Sequence, residues 1–231
     1  EGYALYSSVL FDLDGTLLNT LDDLALAGNH TLAALGFAQH PRPTYKKMVG
    51  NGIPMLVQRM LPPGNQGEAT HKVALSLFQS YYGQHMHDNT APYSGISILL
   101  QQLQACGVRM AVSSNKQNSF VKEIISTYFP GVFAAVLGHR EDMPPKPHPA
   151  GALWLMAELG AVPTDTLYIG DSDVDMQTAH AAGVDACGVL WGFRDETELR
   201  GAGARYIAQT PEDLYPIITG DSSEFPILPA D

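Results

Sequence analysis

One stretch, Phe11-Asp12-Leu13-Asp14-Gly15-Thr16-Leu17-Leu18, limits what this chain can become more than any other. The apolar run Val9-Leu10-Phe11 leads into it and predicts a buried strand. Gly15 ends that strand and leaves two aspartates at its carboxyl end. Side chains alternate along a strand, so Asp12 and Asp14 start on the same face. Two carboxylates that close raise each other's pKa unless a cation separates them. A hard dication with oxygen ligands, most simply Mg2+, suits such a pair. A carboxylate at an exposed strand end, bound to a metal, can also serve as a nucleophile. A plain Asp-Gly turn between strand and helix accounts for the same residues, so the rest of the chain must decide.

The segment after this strand reads as helical throughout. Leu24, Ala27, Leu32 and Leu35 predict a helix over about 20–35, with Thr20 and Asp23 as a capping box and Gly36 as its stop. Helices near 45–48, 53–61 and 68–85 follow with no strand among them. From Ile96 the pattern changes. A helix stopping at Gly107 precedes a strand at 108–112, a helix at 117–128 and a strand at 132–137. The run Pro144-Pro145-Lys146-Pro147-His148-Pro149 opens a helix that reaches Gly160. A strand at 166–169, a helix ending near 182 and strands at 186–190 and 205–208 lead to a last helix at 211–218.

Alternating strands and helices predict an α/β fold, a Rossmann-like parallel sheet with helices on both faces. Residues 1–18 and 90–231 form its core, and 19–89 an inserted all-helical cap domain. The insertion follows the first strand, at the edge where open α/β sheets bind ligands.

Charge narrows the partners. The net charge of -11 and the lack of a basic run predict no nucleic-acid partner and no anionic membrane surface. An anionic substrate then needs local positive charge, from a metal or a placed lysine. Cys106 and Cys187 lie in no metal-ligand spacing and are expected to be buried in a reducing compartment. With no apolar span and no signal peptide in the pattern, the expected location is cytoplasmic.

Four stretches share one chemical theme. Asp12 and Asp14 follow the first strand, Ser114 and Asn115 the strand at 108–112, and Asp171 and Asp175 the strand at 166–169; Lys146 begins a helix. In a parallel sheet all gather at one edge. Each alone has a plainer reading: a helix cap, a solvated lysine, an acidic helix start. In order, Asp-x-Asp-Gly-Thr, Ser-Asn-Lys, Lys-Pro-x-Pro and Gly-Asp-x-x-x-Asp resemble the haloacid dehalogenase superfamily of phosphohydrolases over nearly the whole chain.

The resemblance implies roles for the matched positions. Asp12 is the nucleophile that takes the phosphoryl group, and Asp14 the general acid and base. Asp12, the Asp14 carbonyl and Asp171 hold Mg2+, with Asp175 supporting them through water or by orienting Lys146. Ser114 and Lys146 clamp the phosphoryl oxygens, with Ser113 an alternative to Ser114. Gly15, Thr16 and Asn115 complete the phosphate side.

The cap should choose the substrate. Val49-Gly50-Asn51-Gly52-Ile53-Pro54 and Asn19-Thr20-Leu21-Asp22-Asp23-Leu24 look like the cap of phosphoglycolate phosphatases. This resemblance implies a small phosphorylated metabolite, 2-phosphoglycolate first, contacted by Gly50, Asn51 and Gly52. Lys46, Lys47 and Arg59, with Lys72 and Arg42, are the basic residues of the cap; any of them can meet a substrate carboxylate, though most are expected to be solvated. Alternatives on the same fold are a broad sugar or nucleotide phosphatase, a pyrophosphatase, a sugar phosphomutase, and a phosphonate hydrolase using Lys46 or Lys47. A non-catalytic binding module is the remote one. A monomer or a homodimer is expected, the latter through Leu77 or Tyr81.

Overall fold

The computed structural model describes residues 5–221, so positions 1–4 and 222–231 of the predicted core lie outside the described residues. β1 (Ser8–Phe11) and the two-residue β2 (Leu18–Asn19) open it. Then come α1 (Leu21–Ala34), a 3-10 segment (Arg42–Lys47), α2 (Ile53–Met60), α3 (Glu68–His85) and the two-residue β3 (Ala91–Pro92). α4 (Ile96–Ala105), β4 (Arg109–Gln117), α5 (Asn118–Tyr128), β5 (Ala135–His139) and α6 (Ala150–Leu159) follow. β6 (Thr166–Gly170), α7 (Asp173–Ala182), β7 (Asp185–Val189), α8 (Glu196–Gly201), β8 (Tyr206–Ala208) and α9 (Leu214–Thr219) complete the order.

Six parallel strands form one sheet in the order β5-β4-β1-β6-β7-β8. β1 is central: Ser8 lies opposite Arg109 on one side and Thr166 on the other. The chain builds outward through β4 and β5, then crosses β1 to build β6, β7 and β8. That reversal opens a crevice at the carboxyl ends of β1, β4 and β6.

Period-two alternation divides the strand side chains between two cores. Val9, Phe11, Met110, Val112, Leu167 and Ile169 pack on the face covered by α4, α5 and α9. Leu10, Ala111 and Tyr168 pack on the opposite face, under α6, α7 and α8. Both faces are dry, which is why the strands read as unbroken apolar runs.

The boundaries differ where local chemistry is weak. β4 continues past Val112 through the polar Ser113 to Gln117, with an irregularity between Ser113 and Gln117. β5 starts at Ala135 rather than Val132. α6 starts at Ala150, not at Pro144, because residues before prolines are driven out of helical geometry. β2 and β3 pair antiparallel, Leu18 with Pro92 and Asn19 with Ala91, and two-residue strands leave no period to read. α8 is short and charged, and it is set by the Asp195 carboxylate accepting from the Glu198 N–H at 2.9 Å. Cys187 is buried as expected, whereas Cys106 is exposed past the end of α4.

The expected capping box at α1 is absent, since Thr20 makes no side-chain cap bond. Asp23 is instead buried and turned toward the returning chain. It accepts from the Asn89 N–H at 3.0 Å, the Thr90 N–H at 2.9 Å and the Thr90 hydroxyl at 2.8 Å. Asp23→Ala strands these donors and should lower the unfolding free energy by about 2–4 kcal/mol in urea denaturation. An unchanged midpoint would mean that this tie contributes nothing.

Candidate active site

Asp12 is the first residue beyond β1, and its N–H donates to the Ile169 carbonyl at 2.9 Å, which locks it to β6. The chain then turns tightly, with the Leu13 carbonyl accepting from Thr16, Leu17 and Leu18. Gly15 has φ +82°, and a Cβ there would lie 2.2 Å from Asp171 Oδ2. Only glycine fits this approach. Behind it, Thr16 is buried and donates to Asp171 Oδ1 at 3.3 Å, while the Phe193 N–H donates to Asp171 Oδ2 at 2.8 Å.

Lys146 reaches the same point from the loop before α6. Its Nζ donates to Asp12 Oδ1 at 2.9 Å, Asp175 Oδ1 at 2.7 Å and the Ser113 carbonyl at 3.1 Å. All three of its protons are therefore used. The other Asp175 oxygen accepts from the Ser172 N–H and hydroxyl, a capping box that starts α7. Both Asp175 oxygens are committed, so this residue orients Lys146. Asn115 staples the parts together: its side chain pairs with the Lys146 N–H at 2.8 Å and carbonyl at 3.0 Å, and donates to the Gly50 carbonyl at 3.2 Å.

Asp12, Asp171 and Asp175 offer carboxylate oxygens within 4.8 Å of one another, all buried. Burial and the neighbouring Asp175 charge push Asp12 well above the usual carboxylate range, against the pull of Lys146. Burial and Asp175 likewise push Asp171 up to about 7. Burial alone would lower the Lys146 ammonium, but Asp12 and Asp175 hold it well above its ordinary value. Three carboxylates against one ammonium leave excess buried negative charge. A hard cation with oxygen ligands fits that excess, so the cluster can hold a metal ion. Each Asp171 oxygen accepts one hydrogen bond, from Thr16 or from the Phe193 N–H, and each keeps a lone pair for an ion.

The carboxylates open into a narrow cavity of about 30 Å³. Asp12, Asp14, Ser114, Asn115, Lys116 and Asp171 form its polar side, and Leu24, Val49, Ile53 and Leu56 an apolar wall from the helical insertion. Gly50 and Gly52 also line it. Gly52 has φ +88°, and a Cβ there would lie 2.9 Å from the Asn115 carbonyl. Ser114 stands in this cavity, with its Oγ accepting from the Lys116 N–H at 3.1 Å. Ser113 does not; it lines a smaller cavity behind Lys146.

Some expected contacts lie elsewhere. Asn51, Lys46, Lys47 and Arg59 line an open outer cleft of about 640 Å³ rather than the cavity. Arg59 is engaged there, donating to Asn51 Oδ1 at 2.8 Å and to the Met48 carbonyl at 3.0 Å. Gly15 and Thr16 act behind Asp171, not in the cavity lining. Other lining residues went unseen in the sequence. Lys116 sits in the Ser-Asn-Lys stretch, but nothing local marks its partners, Asp14 and Tyr82. Phe193 and Arg194 follow β7 with no motif around them. Arg194 holds the insertion by donating to the Lys46 carbonyl at 2.6 Å and the Val49 carbonyl at 3.0 Å.

Comparison with known proteins agrees with this arrangement. Residues 9–189 match the family model of the haloacid dehalogenase-like hydrolases. A phosphoglycolate phosphatase of Pseudomonas putida is 36% identical over 190 residues, covering 80% of this chain and 70% of that protein. One of Haemophilus influenzae is 31% identical over 215 residues, covering 90% of this chain and 96% of that protein. A crystal structure from Lactobacillus delbrueckii subsp. bulgaricus, provisionally named a phosphoglycolate phosphatase, superposes with a TM-score of 0.89 at 31% identity, over 94% of this chain and 99% of that one. The chain belongs to the haloacid dehalogenase-like hydrolases and is a phosphatase of that family.

Proposed function

We propose that the protein is a Mg2+-dependent phosphatase of small phosphate monoesters, with 2-phosphoglycolate as its substrate and an aspartyl-phosphate on Asp12 as its intermediate. One observation carries this reading. A buried carboxylate at the end of the central strand, bonded to Lys146 at 2.9 Å, faces a narrow cavity beside Asp14.

In the first step an Asp12 oxygen attacks phosphorus and the ester P–O bond breaks. Asp14 gives a proton to the departing oxygen. In the second step Asp14 takes a proton from water, the water oxygen attacks phosphorus, and the Asp12 carboxylate leaves. Ser114 and the Leu13 and Asp14 N–H groups hold the equatorial oxygens, while Lys146, seated between Asp12 and Asp175, offsets their charge. Asp12, Asp171 and the Asp14 carbonyl would hold Mg2+, which supplies the charge neutralisation that lets a carboxylate approach a phosphate.

Residues 19–89 act as a cap in this reading. Leu24, Val49, Ile53 and Leu56 exclude water and restrict the leaving group to a few atoms. The relatives' names support phosphoglycolate, and the apolar wall that the insertion places over the carboxylates supports an ester with a short leaving group.

Phosphate release from a panel of phosphoglycolate, pyrophosphate, sugar phosphates and nucleotides, with and without Mg2+, tests this. Phosphoglycolate should lead by at least about tenfold in kcat/KM, a margin one or two good contacts supply. Chelation should abolish turnover, and Mg2+ should restore it. Equal rates across the panel would sink the substrate assignment, and metal-independent turnover would sink the role of the ion.

A further inference from the structure

We propose that Lys116 selects leaving groups that carry an anion next to the ester oxygen, and that Tyr82 of the insertion seats it for that task. This rests on the phosphoglycolate reading and adds the residue that recognises the carboxylate.

A substrate carboxylate entering this cavity meets aspartates on one side and an aliphatic wall on the other. The chain as a whole, at -11, gives it no attraction. It therefore needs a cation inside, and the contacts favour the one that is bonded to Asp14. Lys146 has its three protons on Asp12, Asp175 and the Ser113 carbonyl. Arg194 also lines the cavity, but three of its five donors anchor it to the Lys46 and Val49 carbonyls and to Glu198, and none of these contacts is to Asp14. Lys46, Lys47 and Arg59 lie in the outer cleft.

That cation is Lys116. It is 3% exposed and lines the cavity. Its Nζ donates to Asp14 Oδ1 and to the Tyr82 hydroxyl, the latter at 2.8 Å. An ammonium has three protons, so one is left for a ligand. Its place is also suitable. Asp14 is the group assigned to protonate the departing oxygen, and Lys116 bonds that same carboxylate. An anion one carbon from the ester oxygen thus falls beside Nζ. Tyr82 lies on α3, with its ring centroid 5.1 Å from Nζ. The insertion therefore supplies the seat of a lysine carried by the sheet, and selectivity depends on the two parts being together.

The test compares phosphoglycolate with ethyl phosphate, which keeps the ester and lacks the carboxylate, in wild type, Lys116→Met and Tyr82→Phe. Glycolate inhibition is measured in parallel, because it reads carboxylate binding without chemistry. Lys116→Met should lower the phosphoglycolate-to-ethyl phosphate ratio of kcat/KM by about 50-fold and weaken glycolate inhibition to a similar degree. Tyr82→Phe should lower the ratio by about fivefold, chiefly through KM, and it carries the test if the methionine variant does not fold. An equal loss on both esters with unaltered glycolate inhibition overturns the proposal and leaves Lys116 as a counter-charge for Asp14. A wild-type enzyme with no preference between the two esters overturns the substrate reading beneath it.

Discussion

Asp12→Asn should lower kcat by a factor of about 10⁴ or more, the scale on which removal of a covalent nucleophile acts. The amide keeps the side chain's shape and can still accept from Lys146, which now bonds Asp12 at 2.9 Å. It has no negative charge with which to attack phosphorus. The loss should therefore fall on chemistry, with the fold intact. Stability should separate this from a damaged protein. Asp12, Asp171 and Asp175 crowd within 4.8 Å, so removing one charge relieves repulsion. The melting temperature of the metal-free variant should not fall. Phosphate labelling gives the direct check: substrate with a labelled phosphoryl group should mark wild type and leave the variant unmarked. Slow return of activity through deamidation is followed by mass, which rises by about one dalton per converted side chain, an elementary amide-to-acid change and not a property of this fold. An unmarked wild type, or full turnover by a variant whose amide is still intact, would remove Asp12 as nucleophile.

Lys146→Met should cost both activity and stability. Its ammonium is the group that touches Asp12 and Asp175 together. Without it, three buried carboxylates face one another, and breaking a buried ion pair typically costs about 3–5 kcal/mol. Turnover should fall by about 10²–10³, the usual effect of losing one placed charge on a transferring group. Adding Asp175→Asn tests the cause, since it removes the carboxylate whose oxygen lies 2.7 Å from Nζ. The double variant should recover more than about 1 kcal/mol of the single variant's loss in urea denaturation, a coupling expected of contacting groups. Strict additivity would mean that the pair is not the source of the loss. Activity should not recover with stability, because a thioether in place of the ammonium brings no positive charge to the transferring group.

What the sequence revealed tracks how local the determining physics is. α3 is legible at its residues, Glu68–His85, because it is long and begins after Pro62-Pro63-Gly64. The alternation of strands and helices was enough for a parallel sheet, and each strand's apolar run reflects two covered faces. Asp12, Ser114, Lys146, Asp171 and Asp175 could be named since each belongs to a strand's carboxyl-terminal part, or to the loop or first helical turn beside it, that the sheet brings to one edge. Asn51 shows the limit. It sits between Gly50 and Gly52, which line the cavity, yet its side chain turns outward to Arg59. Thr20 and Asp23 have a capping pattern, but each finds a stronger partner outside the helix start: the Asp14 carboxylate, six residues back, for Thr20, and the distant 89–90 amides for Asp23. Lys116 and Arg194 have roles fixed wholly by long-range contacts, and no window of sequence contains those.

The central place of β1 has a consequence for how the chain is made. Ser8–Phe11 leaves the ribosome before either of its neighbours in the sheet, β4 and β6. Its second neighbour does not exist until Gly170 has been added. At ordinary synthesis rates, that delay is on the order of ten to thirty seconds. Throughout it, a strand buried at every position in the finished protein has at least one unpaired edge. Asp12 has no β6 carbonyl to hold its backbone and no Asp171 beside it until then. A nascent chain thus carries no working centre, and it presents a hydrophobic edge that favours early engagement by a chaperone.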